Sequence, residues 1–488
     1  MQPSSPGPDG ATPVRKPSEI HREGRLAQLG IGFTNWAERW FPDAFIFVAI
    51  AVVIVALGAL ANGAPAPAIA KSFGDGFWSL IPFTMQMAFV TIGGYVVATS
   101  PPVQALIDKL ATVPKTGRGA VGFVAAATML SSFLSWGLSL IFGGLLARAL
   151  ARRTDLKMDY RAAGAAAYLG LGATWAMGLS SSAAQLQANP KSLPPALLPI
   201  TGVIPFSETI FLWQSMLIAL ILFVISIVIA YASAPGAGTA MTAEDMGVNV
   251  AREEQKTPRP EQPGEWLEHW PILTILLVVI AGGWIYQEFA RQSWITAISN
   301  LNTYNLLFLT AGMLLHWRPR RFLNAVAKSV PAVAAILIQF PLYAAISAML
   351  TGAKNAAGTS LSEVITHAFV SLNTTGSFPI SMGVYSAVLG FFVPSGGGKW
   401  LLEAPYVMQA ANELHVHLGW AVMVYNAAEA LPNLINPFWM LPLLGILGLK
   451  ARDIVGFSFL QLLIHLPVVL FLLWALAFTL TYHPPVMP

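Results

Sequence analysis

Nine long apolar stretches constrain the fold of this chain more than any other feature. Each is close to the roughly 20 residues that a helix needs to cross the hydrocarbon of a bilayer. They lie at 42–62, 77–99, 160–178, 208–231, 271–290, 301–317, 331–351, 418–446 and 455–482. Only 10% of the 488 residues are charged, whereas a soluble domain has about 25%. The sequence therefore predicts an all-α membrane protein that crosses the bilayer several times.

Two further apolar stretches, 119–150 and 379–412, are interrupted near their middle. The first break is rich in serine (Ser131, Ser132, Ser135), and the second holds Ser395 before three consecutive glycines. Irregular backbone at membrane depth is tolerated only where protein surrounds it or where it lines a cavity. We therefore interpret each stretch as a re-entrant helical hairpin. Breaks at matching places of two halves are typical of the binding site of a secondary transporter.

The basic residues predict the orientation of the chain. With the N-terminus in the cytoplasm, 22 of the 27 Lys and Arg residues lie in inner segments, as the positive-inside rule requires. A single span over 119–150 would put the basic residues of 148–161 on the side opposite to those of 109–118, which favours a hairpin. The predicted domains are a polar cytoplasmic segment 1–40, a first half 41–231, a cytoplasmic linker 232–268 and a second half 269–488.

The span after each hairpin is also interrupted. The first contains Gly178–Ala183, and the second contains Glu429–Pro437 with two prolines that each remove an amide donor. Each half thus consists of a span, a hairpin, an interrupted span and a closing span. Because the two hairpins open to opposite sides, the predicted fold is an inverted-repeat secondary transporter with two re-entrant helical hairpins and two interrupted transmembrane helices.

Polar residues at these four breaks are the candidate site. The predicted substrate-binding residues are Ser132, Ser135, Ser395, Gly396, Gly397, Gly398, Lys399 and Glu403. Glycine amides at a turn form anion nests, and an intramembrane charge is functional by default. The alternatives are close helix packing for the glycines, and for Lys399 an ion pair with Glu403 four residues on or snorkelling to the outer surface.

A second group supplies oxygen ligands for a coupling cation. Its members are Ser180, Ser181, Ser182, Glu429, Asn433 and Asn436. Hard cations prefer oxygen ligands, and we extend that preference to Na⁺, the metal ion that these residues would hold. The alternative for the serines and asparagines is hydrogen bonding between helices. For Glu429 three roles are open, namely binding Na⁺, carrying a coupled proton or pairing with Lys399, and the alternative is a buried, hydrogen-bonded carboxylate.

Several classes of function lack support in the sequence. The chain has no cysteine, which excludes disulfides and thiolate metal sites. It has neither a GxxxxGK[ST] nucleotide-binding loop nor an HExxH zinc motif. Its acids are too few and too dispersed for the cluster that an enzyme needs. We therefore expect no enzyme activity, no cofactor apart from Na⁺ as a coupling ion, and no nucleic-acid partner; a passive anion channel stays open as an alternative.

Three segments resemble the AtoE family of short-chain fatty acid transporters, within the wider ion transporter superfamily. They are Val393–Trp400, Asn433–Ile446 and Arg39–Asp43, together with the serines of Gly178–Ser182, and the resemblance extends over about 30–482. It implies acetoacetate- or butyrate-like monocarboxylates as substrates and membrane lipid as the surroundings. It also implies a symporter coupled to Na⁺ or H⁺ in the bacterial inner membrane, hairpins that meet at the bilayer midplane, elevator-like alternating access and a homodimer.

The chain departs from the family pattern near the second break. Glutamine is usual where Lys399 and Glu403 stand, threonine where Pro432 stands, and glutamine where Asn436 stands. An ionic pair has thus replaced a neutral one. A dicarboxylate or another organic anion is therefore an alternative substrate.

Overall fold

The computed structural model describes residues 39, 44–190, 192–251, 260–393 and 395–487. The predictions for Pro394 and for most of the segment 1–40 lie outside the described residues, as do those for Lys191 and for the basic residues within 252–259. Within the described ranges the chain is helical, and the only β-structure is two isolated bridges, Gly202 with Val486 and Lys354 with Ser360.

The first half contains the helices α1 to α10. These are α1 Ala44–Ala61, α2 Ala66–Ser79, α3 Ile81–Ala98, α4 Pro101–Leu110, α5 Gly117–Leu134, α6 Trp136–Ala151, α7 Tyr160–Leu169, α8 Ser182–Gln187, α9 Leu198–Thr201 and α10 Trp213–Ser233. A π-helical turn, Gly170–Thr174, and a 3₁₀ turn, Trp175–Met177, extend α7.

The second half contains the helices α11 to α22. These are α11 Glu265–His269, α12 Ile272–Arg291, α13 Trp294–Ser299, α14 Leu301–His316, α15 Pro319–Ser329, α16 Ala334–Gly352, α17 Leu361–Leu372, α18 Phe378–Phe392, α19 Gly396–Glu413, α20 Leu418–Asn433, α21 Pro437–Leu447 and α22 Ala451–Ala477.

Five helices in the described part of the chain are long and apolar enough to cross a membrane, namely α3, α5, α10, α12 and α22. A sixth span results if Pro319–Val333 and Ile336–Gly352, which bend by 41°, are counted together. The other predicted spans are shorter helices or interrupted ones. The sequence did not predict α2 or α17. The predicted span 77–99 begins only after a break at Leu80, which separates α2 from α3.

Both predicted hairpins are pairs of antiparallel helices. In the first, α5 and α6 meet where the Ser139 hydroxyl donates to the Thr128 carbonyl oxygen over 2.8 Å. In the second, the phenol oxygens of Tyr385 in α18 and Tyr406 in α19 are 2.7 Å apart. One serine, Ser135, separates α5 from α6, and residues 393–395 separate α18 from α19. Each hairpin therefore returns to the end of the molecule from which it started.

Helix α20 lies at the centre of the fold, and every one of its residues is buried. It packs against both helices of the second hairpin, against α22 and against the turns that follow α7. The first hairpin packs on α3, α7 and α21. Helices α1 and α2 both pack against α16. At the periphery, α12 buries only Thr274 and exposes apolar side chains. A helix that is apolar on all sides and exposed is suited to lipid.

The segments that the charge pattern places on the inner side lie together at one end of the molecule. There Arg118 Nε donates to the Ala234 carbonyl oxygen over 2.8 Å, and Arg152 Nη2 is 3.0 Å from Asp108 Oδ1. At the other end, Asn189 Nδ2 donates to the Ser299 carbonyl oxygen over 2.8 Å. The fold thus separates the predicted inner and outer segments.

The first part of the predicted linker is bonded to the first half. Asp159 Oδ2 accepts from the amide of Met241 over 3.0 Å, and Arg148 Nη2 donates to the Asn249 carbonyl oxygen over 2.9 Å. Residues 234–251 of this linker are held against the base of the first hairpin. The reason is that Arg118, Arg148 and Asp159 satisfy backbone groups that no helix or strand uses.

Candidate functional site

The two hairpin tips have the same local structure. Ser135 has φ −157° and ψ 127°, and its hydroxyl accepts from the amide of Leu138 over 3.4 Å at the start of α6. Ser395 has φ −150° and ψ 99°, and its hydroxyl accepts from the amide of Gly398 over 3.2 Å at the start of α19. A serine N-cap satisfies one of the free amides of a helix start. The match supports the inverted repeat, since each half ends its hairpin tip in a capped helix N-terminus.

The first tip is bonded to the first interrupted span. The amide of Trp136 donates to the Ser180 hydroxyl over 2.9 Å, and the hydroxyls of Ser132 and Thr174 are 2.8 Å apart. The amide of Leu179 donates to the Phe133 carbonyl oxygen over 2.8 Å. The break at 178–181 therefore lies directly against the tip, and Ser132 and Ser180 help to join the two.

The second tip is packed too tightly for any residue except glycine. A Cβ atom on Gly396 would lie 2.1 Å from the ring of Trp175, and one on Gly398 would lie 2.1 Å from the ring of Tyr343. The Tyr425 hydroxyl donates to the Gly396 carbonyl oxygen over 2.5 Å. The close packing that was the alternative for the glycines is therefore present, and it brings the second tip against the first interrupted span.

The second interrupted span ends in a break at 434–436, between α20 and α21. The carbonyl oxygen of Asn433 accepts from the Tyr168 hydroxyl over 2.8 Å, and Asn436 Nδ2 donates to the Phe391 carbonyl oxygen over 3.4 Å. Just after the break, the ring of Trp439 packs edge-on against that of Trp136, with centroids 5.7 Å apart. The second break thus contacts the first hairpin as well as the second.

A cluster of charges lies beside the second tip. Lys399 Nζ is 2.9 Å from Glu403 Oε1 and 2.8 Å from Glu429 Oε2, and all three side chains are fully buried. The same ammonium group donates to the Ser386 carbonyl oxygen over 2.8 Å and lies 4.4 Å from the centre of the Tyr425 ring. Lys399 therefore forms the ion pair with Glu403 that was one alternative, and it adds a second pair with Glu429. Two carboxylates face one ammonium group, so the cluster carries a formal charge of −1.

Several buried polar atoms around the breaks have no hydrogen-bond partner within the described part of the chain. They are Trp175 Nε1, Ser181 Oγ, the Tyr343 hydroxyl, Asn433 Oδ1 and Glu429 Oε1. A buried polar atom left without a partner costs about 1–3 kcal/mol. Such atoms are therefore candidates to contact a ligand. The indole N–H and the two hydroxyls can donate a hydrogen bond to an anion. The oxygen atoms of Asn433 and Glu429 can coordinate a cation, and that of Glu429 can also bind a proton.

All the residues predicted for the site are buried, and the fold places them around the four breaks. Among the residues described, no hydrogen bond joins the two hairpin tips to each other. Trp175 lies between them, because it follows Thr174 at the first tip and contacts Gly396 at the second. Sequence reasoning missed Trp175, Tyr343, Tyr425 and Ser386, since an aromatic or serine residue in an apolar span looks like ordinary packing.

The chain matches the family model of short chain fatty acid transporters over residues 25–476. It belongs to that family. A relative from Escherichia coli (strain K12), provisionally named a short-chain fatty acid transporter, is 33% identical over 442 residues, which cover 90% of this chain and 97% of the relative. A relative of the same provisional name from Haemophilus influenzae is 30% identical over 451 residues, covering 91% of this chain and 98% of the relative.

Two solved transporters share the fold. MtrF of Neisseria gonorrhoeae, described as one of a class of antimetabolite efflux pumps, superposes with a TM-score of 0.57 at 13% identity, covering 94% of this chain and all of MtrF. The Alcanivorax borkumensis YdaH transporter, described as having an unusual topology, gives a TM-score of 0.50 at 14% identity, covering 92% and 97% of the two chains. Membership of the family makes this chain an integral membrane transporter of small carboxylates and not an enzyme.

Proposed function

We propose that the protein is a secondary transporter that moves a short-chain monocarboxylate, such as acetoacetate or butyrate, together with Na⁺ or H⁺. Membership of the family supports the class of substrate. The single observation that carries the coupling is the buried charge cluster, in which Lys399 is shared between Glu403 and Glu429. A net negative charge out of contact with water is costly, so a bound cation or proton would stabilise it.

The anion would bind between the two hairpin tips. The helix starts capped by Ser135 and Ser395 present the positive ends of their dipoles, which favour an anion. The unpartnered donors of Trp175 and Ser181 lie in the interrupted span that contacts both tips. Lys399 is already engaged by two carboxylates, which favours these neutral donors over the ammonium group as the direct contacts of the substrate.

The coupling ion would bind at the carboxylate of Glu429. Its Oε1 atom lacks a partner, and so does Oδ1 of Asn433, which stands one helical turn further along α20. Either a proton on Glu429 or a Na⁺ ion held with Asn433 and the serines Ser180–Ser182 would bring the cluster to neutrality. Substrate and ion would then cross together as the hairpins move, elevator-like, against a scaffold that includes 42–62 and 271–317. The homodimer, the re-entrant depth of the hairpins, the inner membrane and the cytoplasmic N-terminus are parts of the same proposal.

The test is uptake of labelled acetoacetate into proteoliposomes under an imposed Na⁺ or pH gradient. We expect saturable uptake that one of the two gradients stimulates. Glu429→Gln should abolish that stimulation while exchange of internal for external substrate continues, because the neutral side chain mimics the ion-bound state. Glu413→Gln, at the exposed end of α19, is the matched control and should behave like the parent protein.

Other outcomes point to other functions. Uptake of a dicarboxylate but not of acetoacetate would identify the alternative substrate class. Conductance without saturation or coupling would identify a passive anion channel. Unchanged gradient stimulation in Glu429→Gln would contradict the coupling site while leaving the substrate assignment intact.

A further inference from the structure

A cavity of about 830 Å³ opens at the end of the molecule where the predicted inner segments meet. One wall comes from α3, α4, α14 and α15, and includes Tyr95 and His316. The other comes from α6 and α21, and includes Ile141 and Gly445. The second wall belongs to the first hairpin and to the helix that follows the second break. The cavity therefore separates the helices that carry the candidate site from their surroundings.

The described residues that line this cavity carry an excess of positive charge. Four are basic, namely Arg148, Arg152, Arg321 and Lys328, and one is acidic, Asp108. Arg152 pairs with Asp108 at 3.0 Å, and Arg148 is fixed to the wall by donating to the Ile446 carbonyl oxygen over 2.7 Å. A cleft lined by charges of one sign concentrates the opposite ion and can raise association rates by about 10- to 1,000-fold.

The cavity runs along the first hairpin. Ile141, Leu145 and Arg148 line it from α6, followed by Arg152 directly after the helix, and their spacing of three and four residues places them on one face. Ile141 is six residues from Ser135, a distance of about 9 Å at 1.5 Å per residue. Beyond Ile141 the first turn of α6 packs against α3, where a Cβ atom on Gly94 would lie 2.5 Å from the Leu138 amide nitrogen, so the cavity ends short of the capped helix start at which the anion is proposed to bind.

We propose that this cavity is an anion vestibule, a weak binding site for small organic anions through which the transported carboxylate passes on the side of the basic mouth. The carboxylate as occupant rests on the proposed function. The selectivity for anions rests only on the geometry and charge of the wall. An experiment can therefore contradict the carboxylate as occupant and still support a site for anions.

The absence of cysteine from the chain makes the vestibule directly testable. In Gly445→Cys the new thiol lies on the wall, where an added Cβ atom would meet no atom within 4 Å. In the control Gly238→Cys the thiol lies on an exposed loop near the same end, also with open space around it. The probes are two methanethiosulfonate reagents of similar size, one with a sulfonate group and one with a trimethylammonium group.

We expect the ratio of anionic to cationic labelling rates to be about tenfold higher at Gly445→Cys than at Gly238→Cys. Raising the salt from 0.1 M to 1 M should reduce that preference, because the screening length falls from about 10 Å to about 3 Å. Arg321→Gln combined with Lys328→Gln should lower it severalfold, whereas Arg321→Lys should not. Arg320→Gln is the matched control, since Arg320 pairs with Glu268 at 2.9 Å and does not line the cavity.

Equal anionic preference at the two thiols, or a preference that persists in the double variant, would overturn the proposal. So would a thiol at position 445 that neither reagent reaches, provided that Leu145→Cys on the α6 part of the same wall is also unreactive. Slowing of the anionic label by butyrate would support the carboxylate as occupant. If the preference holds but no carboxylate slows labelling and no uptake occurs, the vestibule stands and the proposed substrate is wrong.

Discussion

At the scale of single residues, the buried cluster around Lys399 defines the character of the site. Removing three charged side chains from water costs several kcal/mol per ion. Here the cost is offset by two ion pairs under 3 Å and by hydrogen bonds from the ammonium group to Ser386. The cluster remains one positive charge short. Binding of the transported cation at this cluster should therefore also stabilise the folded protein.

Lys399→Gln should be strongly destabilising. Breaking a buried pair by removing one partner costs about 3–5 kcal/mol, and here two carboxylates would lose their common partner. We expect a large drop in the apparent melting temperature of the purified protein. In Lys399→Gln/Glu403→Gln part of the loss should be recovered, because only one buried carboxylate remains without the ammonium group.

The matched control is Lys71→Gln. Lys71 and Asp75 are also a lysine and an acid four residues apart on a helix, but their side chains are 76% and 69% exposed. Exposed pairs of this kind contribute little, so no measurable change is expected. Equal melting temperatures for Lys399→Gln and Lys71→Gln would contradict the view that burial makes the cluster costly to break.

The pair of Lys399 with Glu403 was predictable, since residues four apart on a helix share a face. The convergence of Glu429 on the same ammonium group was only one of three roles that the sequence left open for that acid. It depends on how α19 packs against α20, and local spacing does not encode that packing. The contacts of Tyr425 and Ser386 are of the same kind, because both come from other helices.

At the scale of elements, the two capped tips and the two breaks are the features that the sequence predicted best. Glycine, serine and proline in an apolar stretch have strong local meaning, so the breaks are visible without any tertiary information. Helices α2 and α17 were missed for the opposite reason. Each is too short for the roughly 20 apolar residues of a span, and α2 also contains Lys71 and Asp75.

Gly396→Ala tests the packing of the second tip. The added Cβ atom would lie 2.1 Å from the ring of Trp175, a residue buried against the first interrupted span. Overpacking of a well-packed core costs about 1–3 kcal/mol. We expect a lower melting temperature and a larger proportional loss of uptake, since the tip must shift away from the break.

Gly283→Ala in the exposed helix α12 provides the comparison, because the same methyl group would meet nothing within 4 Å and the residue does not line the cavity. Alanine also has the higher helix propensity, so this variant should melt at or above the temperature of the parent protein. Loss of uptake of similar size in both variants would show that the tight contact with Trp175 is not the cause.

At the scale of the whole molecule, the charge pattern and the fold divide the chain in the same way. The basic segments that the positive-inside rule groups together are joined by hydrogen bonds and ion pairs at one end. The positive-inside rule concerns the charges of loops, whereas packing concerns the contacts between helices. The two are independent, and they assign the same segments to the same end of the molecule. The sequence therefore predicted which segments lie together at each end. It did not predict how α3, α14 and α16 are arranged around the hairpins.

The orientation can be measured in intact cells with single cysteines. Ala357→Cys lies in an exposed loop at the end that is predicted to face outward, and Gly238→Cys lies in an exposed loop at the opposite end. An impermeant thiol reagent should label the first in intact cells and the second only after permeabilisation. The reverse pattern would place the basic end, and with it the vestibule, outside the cell.

The shared ammonium group also has a consequence for how the protein is made. Lys399 and Glu403 leave the ribosome before Glu429, and α20 follows α19 in the chain. A charged side chain near the centre of an inserting helix costs about 2.5–3.5 kcal/mol, and α19 alone carries two. Its stable insertion therefore depends on a helix not yet synthesised. We therefore expect the second hairpin and α20, residues 378–433, to enter the bilayer as one cooperative unit.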